Sequence, residues 1–316
     1  MNNGGEGQAL LGLQDVAGLL AGIPGLEAID AISPVNKGWS PDRKFQVHTG
    51  DGQQWLLRLA DAENYERKGL EFEHLRAVDA LGVPMTRPVA FGRGPDGSVY
   101  QLLTWVEGTD AETALPTLTE ARQYALGRRA GELLRRIHTL PALDGQPPWG
   151  ERFRRKTESK IERYLACPIH FDGDRAVIDY LRANAGLLDG RPQCFQHGDY
   201  HAGNLIVTPQ GDIGVIDFNR LDWGDPWEEF NRIVWCAAVS PAFASGRIDG
   251  YFADDVPAAF FPLLAYYILS NTLSSVYWAI SFGPAEVDTM LRQAADVLHW
   301  YDGLRTTVPG WYHQGG

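Results

Sequence analysis

Residues 196–207, QHGDYHAGNLIV, constrain the fold of this chain more than any other stretch. Two histidines, an aspartate and an asparagine fall within nine positions, and an apolar run follows them. A second apolar run, IGVI, comes after the turn-forming residues TPQGD. The segment therefore predicts a polar loop, a short strand, a glycine turn and a second short strand. Asp199 and Asn204 precede the first strand, and Asp217 follows the second.

The two histidines of this loop raise the question of a metal site. His197 and His201 are four positions apart, the spacing at which a helix presents two imidazoles to one zinc ion. Gly198 and Gly203 argue against a helix, the residue after His197 is not glutamate, and no third ligand stands out. We therefore predict that His197 orients the loop and that zinc is not its partner.

The loop also has the spacing H-G-D-x-x-x-x-N, filled by His197, Asp199 and Asn204. Protein kinases carry H-R-D-x-x-x-x-N followed by an aspartate at a strand end, so Gly198 replaces their arginine and Asp217 takes the later position. Phosphoryl transfer needs these residue types. Asp199 would align the attacking hydroxyl and accept its proton, while Asn204 and Asp217 would offer oxygen ligands to Mg²⁺. The alternative is a structural turn with no chemical role.

The stretches FQHGDYHAGNLIV and GVIDFNRLDWGDPWEEF resemble the aminoglycoside phosphotransferase family of antibiotic and small-molecule kinases. The resemblance extends from about residue 35 to residue 311, and the loop around Asp199 is its most specific part. It implies an α+β, bilobal, protein-kinase-like fold. Residues 1–106 would form a small β-rich nucleotide-binding lobe that ends in a hinge. Residues 107–316 would form a larger, mainly helical lobe with the catalytic loop and the acceptor-binding helices.

The resemblance also implies the reaction. ATP or GTP would be the donor with Mg²⁺, and the γ-phosphoryl group would pass to a hydroxyl of a small cationic acceptor such as an aminoglycoside. Asp199 resembles the catalytic base of the family, and Asn204 and Asp217 resemble its metal ligands.

Two nucleotide-binding segments follow from the same resemblance. The run LLTWVEG resembles the hinge, so the backbone of Thr104, Trp105 and Val106 is expected to hold the adenine. The phosphate-covering loop is matched only by place, in NKGWSPDRKF, which contains Ser40 and lacks the glycine pattern of protein kinases.

The phosphate-binding cation is expected on a β-hairpin. Residues 43–59, RKFQVHTGDGQQWLLRL, alternate apolar and polar residues on both sides of a turn. The register that places the apolar residues on one face places Lys44 and Arg58 together on the other. The family often has lysine at the position of Arg58, and arginine can also bind phosphate. Glu71 resembles the glutamate that pairs with this cation, and Lys44 is a rival for the phosphate.

The helices of the larger lobe cover the acceptor in this family. Carboxylates there would suit ammonium groups, and aromatic rings would stack on a ligand or bind a cation, although each ring also fits core packing. The candidate acceptor-binding residues are Asp222, Glu228, Glu229, Trp235, Tyr267 and Trp278. Asp225 is assigned instead to structure.

Helical patterns flank these motifs. NYERKGLEFEHLRAVDALGV is expected to form a helix with Leu70, Leu75 and Val78 on its apolar side. Thr119 is expected to cap another helix that runs to about residue 140. Residues 256–285 contain no charged residue, but prolines, an asparagine and hydroxyl side chains interrupt them, so they predict a buried helix rather than a membrane span.

Composition limits the partners. The net charge of −12 disfavours nucleic acid and anionic membranes, which both attract basic surfaces. The first apolar stretch has no basic residue before it, so no secretory signal is predicted and a cytoplasmic protein is expected. The three widely spaced cysteines are expected to be buried free thiols. No protein partner is implied.

Two other functions remain open from the sequence. The same fold could phosphorylate a housekeeping metabolite such as a sugar, an amino alcohol or a fructosamine-type adduct. It could also bind nucleotide without catalysis and regulate a partner, although Asp199, Asn204 and Asp217 are all present.

Overall fold

The computed structural model describes residues 18, 20, 23, 26, 29–36 and 41–315. The chain divides into two units, Met1–Val106 and Glu107–Gly316. Ser40, which the sequence assigns to the phosphate-covering loop, lies outside the described residues. The assignment of nucleotide binding to the first unit and of acceptor binding to the second stays a prediction.

The first unit is built on an antiparallel sheet. Its strands are β1 (Ile29–Pro34), β2 (Arg43–Thr49), β3 (Gln54–Ala60), β4 (Pro88–Arg93) and β5 (Val99–Thr104). Their order across the sheet is β1-β2-β3-β5-β4. Side chains alternate between the two faces of a strand. As a result, Val47, Leu57 and Leu102 meet in one buried apolar cluster.

The β2–β3 hairpin has the register that the sequence predicts. Phe45 pairs with Leu57, and Lys44 pairs with Arg58. The Thr49 N–H donates to the carbonyl of the residue four positions later at 3.0 Å, which closes the turn. A slip of one residue would move the two cations into the apolar face, so hydrophobic burial fixes the register.

Helix α1, Tyr65–Asp79, packs on this sheet. Leu75 and Val78 are buried, as expected, together with Phe72. The prediction for Leu70 is wrong, because its side chain is 63% exposed. Lys68 is buried on this helix instead. A buried ammonium group requires charged partners, and the carboxylates that supply them are described below.

The second unit is mainly helical. Its helices are α2 (Ala111–Ala114), α3 (Glu120–Ile137), α4 (Trp149–Leu165), α5 (Asp174–Ala183), α6 (Ile233–Val239), α7 (Pro241–Phe252), α8 (Phe260–Ala279) and α9 (Pro284–Trp300). Strands β6 (Thr109–Asp110), β8 (Leu205–Val207) and β9 (Ile213–Val215) form one sheet, and β7 (Cys194–Gln196) pairs with β10 (Asp222–Gly224). A β-sheet unit followed by a helical unit confirms the predicted α+β class.

Helix α3 begins where the sequence predicts. The Thr119 side chain accepts a hydrogen bond from the Arg122 N–H at 3.4 Å, which satisfies one of the free donors of the first turn. The helix ends at Ile137 rather than near residue 140. Its buried stripe consists of Leu126, Ala130, Leu133, Leu134 and Ile137, together with two glycines.

Helices α3 and α7 approach each other so closely that only glycine fits at their contact. Gly127 and Gly131 lie on α3, and Gly246 and Gly250 lie on α7. A methyl group at any of the four would collide with a backbone carbonyl of the facing helix. Each helix carries these glycines in the pattern G-x-x-x-G. The absence of side chains there lets the two backbones pack against each other.

Residues 256–285 contain α8, which is buried along most of its length, as the sequence predicts. Among the described residues, no helix is long and apolar enough to cross a membrane. Cys167, Cys194 and Cys236 are free and buried, which confirms the prediction of buried thiols.

Candidate active site

His197 fixes the loop between β7 and β8. Its ring is fully buried, and its Nδ1 accepts the Asp199 N–H at 3.2 Å. Because Nδ1 accepts, Nε2 carries the proton, and it donates to the Ile216 carbonyl at 3.0 Å. The ring also packs against Phe218, with 4.4 Å between centroids. His197 therefore ties the loop to the end of β9, which confirms its predicted structural role.

Gly198 occupies a position that no other residue fits. Its φ is +83°, and a Cβ there would collide with the Arg220 carbonyl oxygen. Its N–H donates to the Glu229 carboxylate at 2.9 Å. The glycine that replaces the arginine of protein kinases is thus required by the local backbone.

Glu229 supports the loop from beneath. The residue is 2% exposed, and its carboxylate lies 3.7 Å from the His138 ring. Burial alone would raise the pKa of Glu229, but the contacts with His138 and the Gly198 N–H outweigh burial and lower that pKa. The prediction that Glu229 binds the acceptor is therefore wrong, because both carboxylate oxygens lie inside the protein.

Asp199 lies between two guanidinium groups. Arg232 Nε is 3.3 Å from Asp199 Oδ1, and Arg220 Nε is 3.8 Å from Asp199 Oδ2. The Asp199 side chain is 21% exposed, so a ligand can still reach it. Neither arginine was predicted from the sequence, since neither belongs to the H-G-D-x-x-x-x-N spacing.

Asn204 is oriented by the backbone of the catalytic candidate. Its Nδ2 donates to the Asp199 carbonyl at 2.9 Å. With the amide nitrogen engaged, Oδ1 is the atom of Asn204 that remains for a metal ion.

Asp217 stands at the same end of the β8–β9 pair. Leu205 pairs with Val215, and the Ile216 N–H donates to the Asn204 carbonyl at 3.0 Å. The next residue, Asp217, has a φ of 63°, in the left-handed region. This conformation costs a non-glycine residue about 1 kcal/mol or more and concentrates at functional sites. The strand register therefore brings Asn204 and Asp217 together.

Asn204 and Asp217 would supply two oxygen ligands to a magnesium ion. Magnesium usually binds through one or two carboxylates and takes its other ligands from phosphates and water. In the part of the chain that the structure describes, no group of three or more His, Cys, Asp or Glu side chains could hold a metal ion. The pair fits an ion that arrives with nucleotide phosphates and does not fit a resident zinc ion.

His201 has a structural contact instead of a metal ligand set. Its Nδ1 accepts the Gly203 N–H at 3.1 Å, which caps the short turn before β8. Burial lowers the pKa of His201 to about 4. The imidazole is thus neutral at pH 7 and adds no charge beside Asp199.

Asp225 has the structural role that the sequence predicts. It is fully buried, and Arg191 donates to both of its oxygens at 2.6 and 2.8 Å. The Tyr267 hydroxyl donates to Asp225 at 2.7 Å and accepts from Trp149 Nε1 at 2.8 Å. The prediction that Tyr267 binds the acceptor is therefore wrong, since its hydroxyl is engaged within the core.

The other acceptor candidates occupy two places. Asp222 is exposed at the start of β10, and Glu228 accepts from the side chain of Gln196 at 3.2 Å. Burial raises the pKa of Glu228. Trp235 and Trp278 pack against one small apolar cluster. The structure brings these two rings to the same cluster, and acceptor binding by the four residues stays a prediction.

The expected hinge in the first unit has most of its polar groups engaged. The Thr104 N–H donates to the Arg87 carbonyl at 2.9 Å, and the Trp105 N–H donates to the Gln54 carbonyl at 3.1 Å. The Thr104 carbonyl accepts from the Thr86 hydroxyl at 2.8 Å and retains a second lone pair. Val106 N–H has no acceptor among the described residues. Adenine binding by this backbone stays a prediction.

Arg58 has a different partner from the one expected. Its Nη2 donates to Asp42, whereas Glu71 forms ion pairs with Lys68 and Arg67, each at 2.9 Å. Lys68 is also 2.7 Å from Asp42. The prediction of a direct Arg58–Glu71 pair is therefore wrong. One feature of the sequence does indicate that Lys68 pairs with Glu71. Lys68 precedes Glu71 by three positions, and side chains three positions apart on a helix lie next to each other.

A carboxylate, an amide and a strand-end aspartate arranged in this way are the elements of a kinase-like phosphotransferase site. The phosphotransferase enzyme family matches residues 31–261, and the chain belongs to this family. The sequence matches none of the curated proteins with which it was compared.

Solved structures of aminoglycoside phosphotransferases share this fold. A thermostable mutant of APH(4)-Ia in its apo form is 18% identical with a TM-score of 0.63, over 89% of this chain and 97% of that one. APH(2'')-Ib with ADP is 16% identical with a TM-score of 0.60, over 85% and 94%. The GDP complex of a 2'-phosphotransferase IIIa mutant is 14% identical with a TM-score of 0.66, over 92% and 99%. These similarities confirm the predicted fold.

Proposed function

We propose that this chain transfers the γ-phosphoryl group of ATP or GTP to a hydroxyl of a small molecule, with Asp199 as the base. One observation carries the proposal. The Asn204 amide holds the Asp199 backbone at 2.9 Å, and Asp217 is kept in a left-handed conformation next to Asn204. A base and two oxygen ligands are thereby held at one end of β8–β9.

The roles follow from the chemistry of these groups. Asp199 takes the proton of the acceptor hydroxyl while that oxygen forms its bond to the γ-phosphorus. The bond from the γ-phosphorus to the bridging oxygen breaks, and a nucleoside diphosphate leaves. Magnesium bound through Asn204 and Asp217 would neutralise phosphate charge. Arg220 and Arg232 would attract the carboxylate of Asp199, from 3.8 and 3.3 Å.

The first candidate acceptor is a cationic antibiotic such as an aminoglycoside. Family membership supports it, as does the likeness to an APH(4)-Ia mutant whose structure holds ADP and hygromycin B. Asp222 and Glu228 would attract its ammonium groups, and Trp235 and Trp278 would stack on its rings. ADP and GDP are both found in similar structures, so either donor is tested.

A housekeeping metabolite is the second candidate, and one observation favours it. The charged groups nearest Asp199 include Arg220 and Arg232, at 3.8 and 3.3 Å. Two guanidinium groups beside the reacting hydroxyl would repel an ammonium group at that position. A neutral or acid-bearing sugar would meet no such repulsion.

Mass spectrometry of both acceptor classes, incubated with the protein, Mg²⁺ and ATP or GTP, tests the proposal. Asp199→Asn should lower turnover by about 10² to 10⁴ while nucleotide binding persists, because the base is lost and the phosphate site is intact. Asp189→Asn is the control, since this carboxylate is 69% exposed and pairs with Arg154.

Each outcome of this experiment assigns a function. A phosphorylated antibiotic supports the first candidate, and a phosphorylated metabolite supports the second. Full turnover by Asp199→Asn would remove Asp199 as the base. Nucleotide binding without any product would replace catalysis with regulation of a partner.

A further inference from the structure

We propose that Asp42 and Lys68 are positioning residues of the nucleotide-phosphate site. They orient Arg58, which was predicted to pair directly with Glu71. The inference rests on the proposed phosphoryl transfer, for which Arg58 is the expected phosphate-binding cation. It adds two residues that the H-G-D-x-x-x-x-N spacing and the hairpin pattern do not identify.

The four charged groups form a continuous chain of ion pairs inside the first unit. Asp42 Oδ2 accepts from both Arg58 Nη2 and Lys68 Nζ, the latter at 2.7 Å. Lys68 Nζ also lies 2.9 Å from Glu71 Oε2. The Asp42 and Lys68 side chains are 3% and 4% exposed. Buried charges at these distances are held firmly, because separation would leave each one uncompensated.

Arg58 keeps donors for a ligand. The residue is 6% exposed, and its Nε–H is buried with no hydrogen-bond partner among the described residues. A buried donor without an acceptor is costly unless another molecule supplies one. Phosphate oxygens suit guanidinium donors. Asp42 therefore engages the Nη2 donor of Arg58 and leaves the Nε donor for an anion.

Lys68 is also fixed through its backbone. Gln101 on β5 is 2% exposed, and its Nε2 donates to the Lys68 carbonyl at 2.9 Å. Gln101 pairs with Arg58 across the β3–β5 ladder. The sheet thus sets the position of α1, and α1 places Lys68 against Asp42.

The four groups carry two positive and two negative charges, and the exposed Arg67 adds a positive charge beside Glu71. Loss of Lys68 alone would make this cluster more negative and repel phosphate. Loss of the Asp42 charge alone would make it more positive and attract phosphate. Two explanations therefore predict opposite results for Asp42→Asn. If Asp42 orients Arg58, the variant should bind phosphate more weakly. If only the net charge matters, the variant should bind phosphate more tightly.

The test is calorimetric binding of ATP, ADP and adenosine, with Mg²⁺, to the full chain and its variants. Asp42→Asn should weaken ATP and ADP binding about tenfold, as expected for the loss of one charged hydrogen bond. Adenosine affinity should change less than about twofold, since adenosine has no phosphate. A purely structural role would change all three affinities together.

Two further variants keep the test decisive. Lys68→Met alone removes a buried cation that both Asp42 and Glu71 contact, and it can prevent folding. The double variant Asp42→Asn with Lys68→Met keeps the net charge of the wild type and should show the same phosphate-specific loss. Arg67→Met is the matched control, because Arg67 pairs with Glu71 from a 56% exposed position and does not touch Asp42. It should bind all three ligands like the wild type.

The outcomes separate this inference from the proposed function. Tighter or unchanged ATP binding by Asp42→Asn overturns the positioning role, as does an equal loss for adenosine. A wild-type protein that binds neither ATP nor ADP overturns the proposed function first, and this inference with it.

Discussion

The two units hold their candidate functional groups by different means. In the first unit, charged side chains hold one another, since Asp42 pairs with both Arg58 and Lys68. In the second unit, the hydrogen bonds of the buried His197 ring and the left-handed backbone of Gly198 set the shape of the loop. A single charge change at Asp42 or Lys68 should therefore alter phosphate binding, whereas the catalytic loop should fail when its backbone is altered.

The largest effect is expected from Gly198→Ala, which tests the dependence on backbone shape. The new methyl group would collide with the Arg220 carbonyl oxygen. We expect a loss of more than about 3 kcal/mol in the free energy of unfolding, or a failure to fold, together with loss of turnover. Denaturant unfolding and the phosphorylation assay measure the two.

Gly97→Ala is the matched control, because Gly97 has the same φ of +83° and open space around its Cα. It should cost only about 1 kcal/mol, from backbone strain alone. Equal losses at the two glycines would mean that strain, rather than the contact with Arg220, sets the requirement at Gly198.

The next prediction compares the stability cost of a glycine-to-alanine substitution in each unit. Gly131→Ala on α3 would push a methyl group into the Arg247 carbonyl, and we expect a loss of about 2 kcal/mol or more in unfolding free energy. Gly69→Ala on α1 places its methyl group 3.4 Å from the Phe91 ring, an ordinary contact. Alanine favours helix by up to about 1 kcal/mol over glycine, so this variant should be neutral or stabilising. Thermal unfolding of both distinguishes them, and a stable Gly131→Ala would contradict the close packing of α3 and α7.

The smallest effect on stability is expected at a lysine without the carboxylate partners that Lys68 has. Lys160, on α4, lies over the Phe153 ring, 5.9 Å from its centroid, and forms no ion pair with a carboxylate among the described residues. Burial, and then the charge of Lys156, lower the pKa of Lys160 from 10.5 to about 7. Between those values the unfolded chain binds more protons than the folded one, so stability should rise with pH across this window.

Lys160→Met should remove that rise and stabilise the protein at pH 7 by on the order of 1 kcal/mol, discounted because the side chain is partly exposed. Unfolding at several pH values from 7 to 10 measures both changes. Lys156→Met, at an exposed position one turn earlier, should keep the rise. An unchanged pH slope in Lys160→Met would show that Lys160 is solvated.

Local sequence patterns predicted much of this molecule. The β2–β3 register follows from strict alternation, and the start of α3 follows from Thr119, because both depend on residues a few positions apart. The polar loop was predicted for the same reason, since His197 and Asn204 are seven positions apart.

Contacts between distant residues were not predictable in this way. Asp42 and Lys68 are 26 positions apart, and a lysine in a helix is ordinarily assigned to the exposed face. In the same way, an apolar side chain is ordinarily assigned to the core, although Leu70 is exposed. Strand β10 and the glycine contacts of α3 with α7 also depend on tertiary packing, which hydrophobic periodicity does not encode. Glu229 and Tyr267 were assigned to the acceptor because a buried carboxylate or hydroxyl looks the same in sequence as an exposed one.

The close contact of α3 with α7 has a consequence for how this chain can diversify. Tyr200, next to the base candidate, donates its hydroxyl to the Ala130 carbonyl on α3 at 2.8 Å, and Arg247 on α7 donates to the Tyr200 carbonyl at 2.8 Å. The loop is thus fastened to both helices from the inside, while Asp222 is exposed. Under the proposed function, we expect substitutions at Asp222 to change the preferred acceptor and to leave this fastening intact.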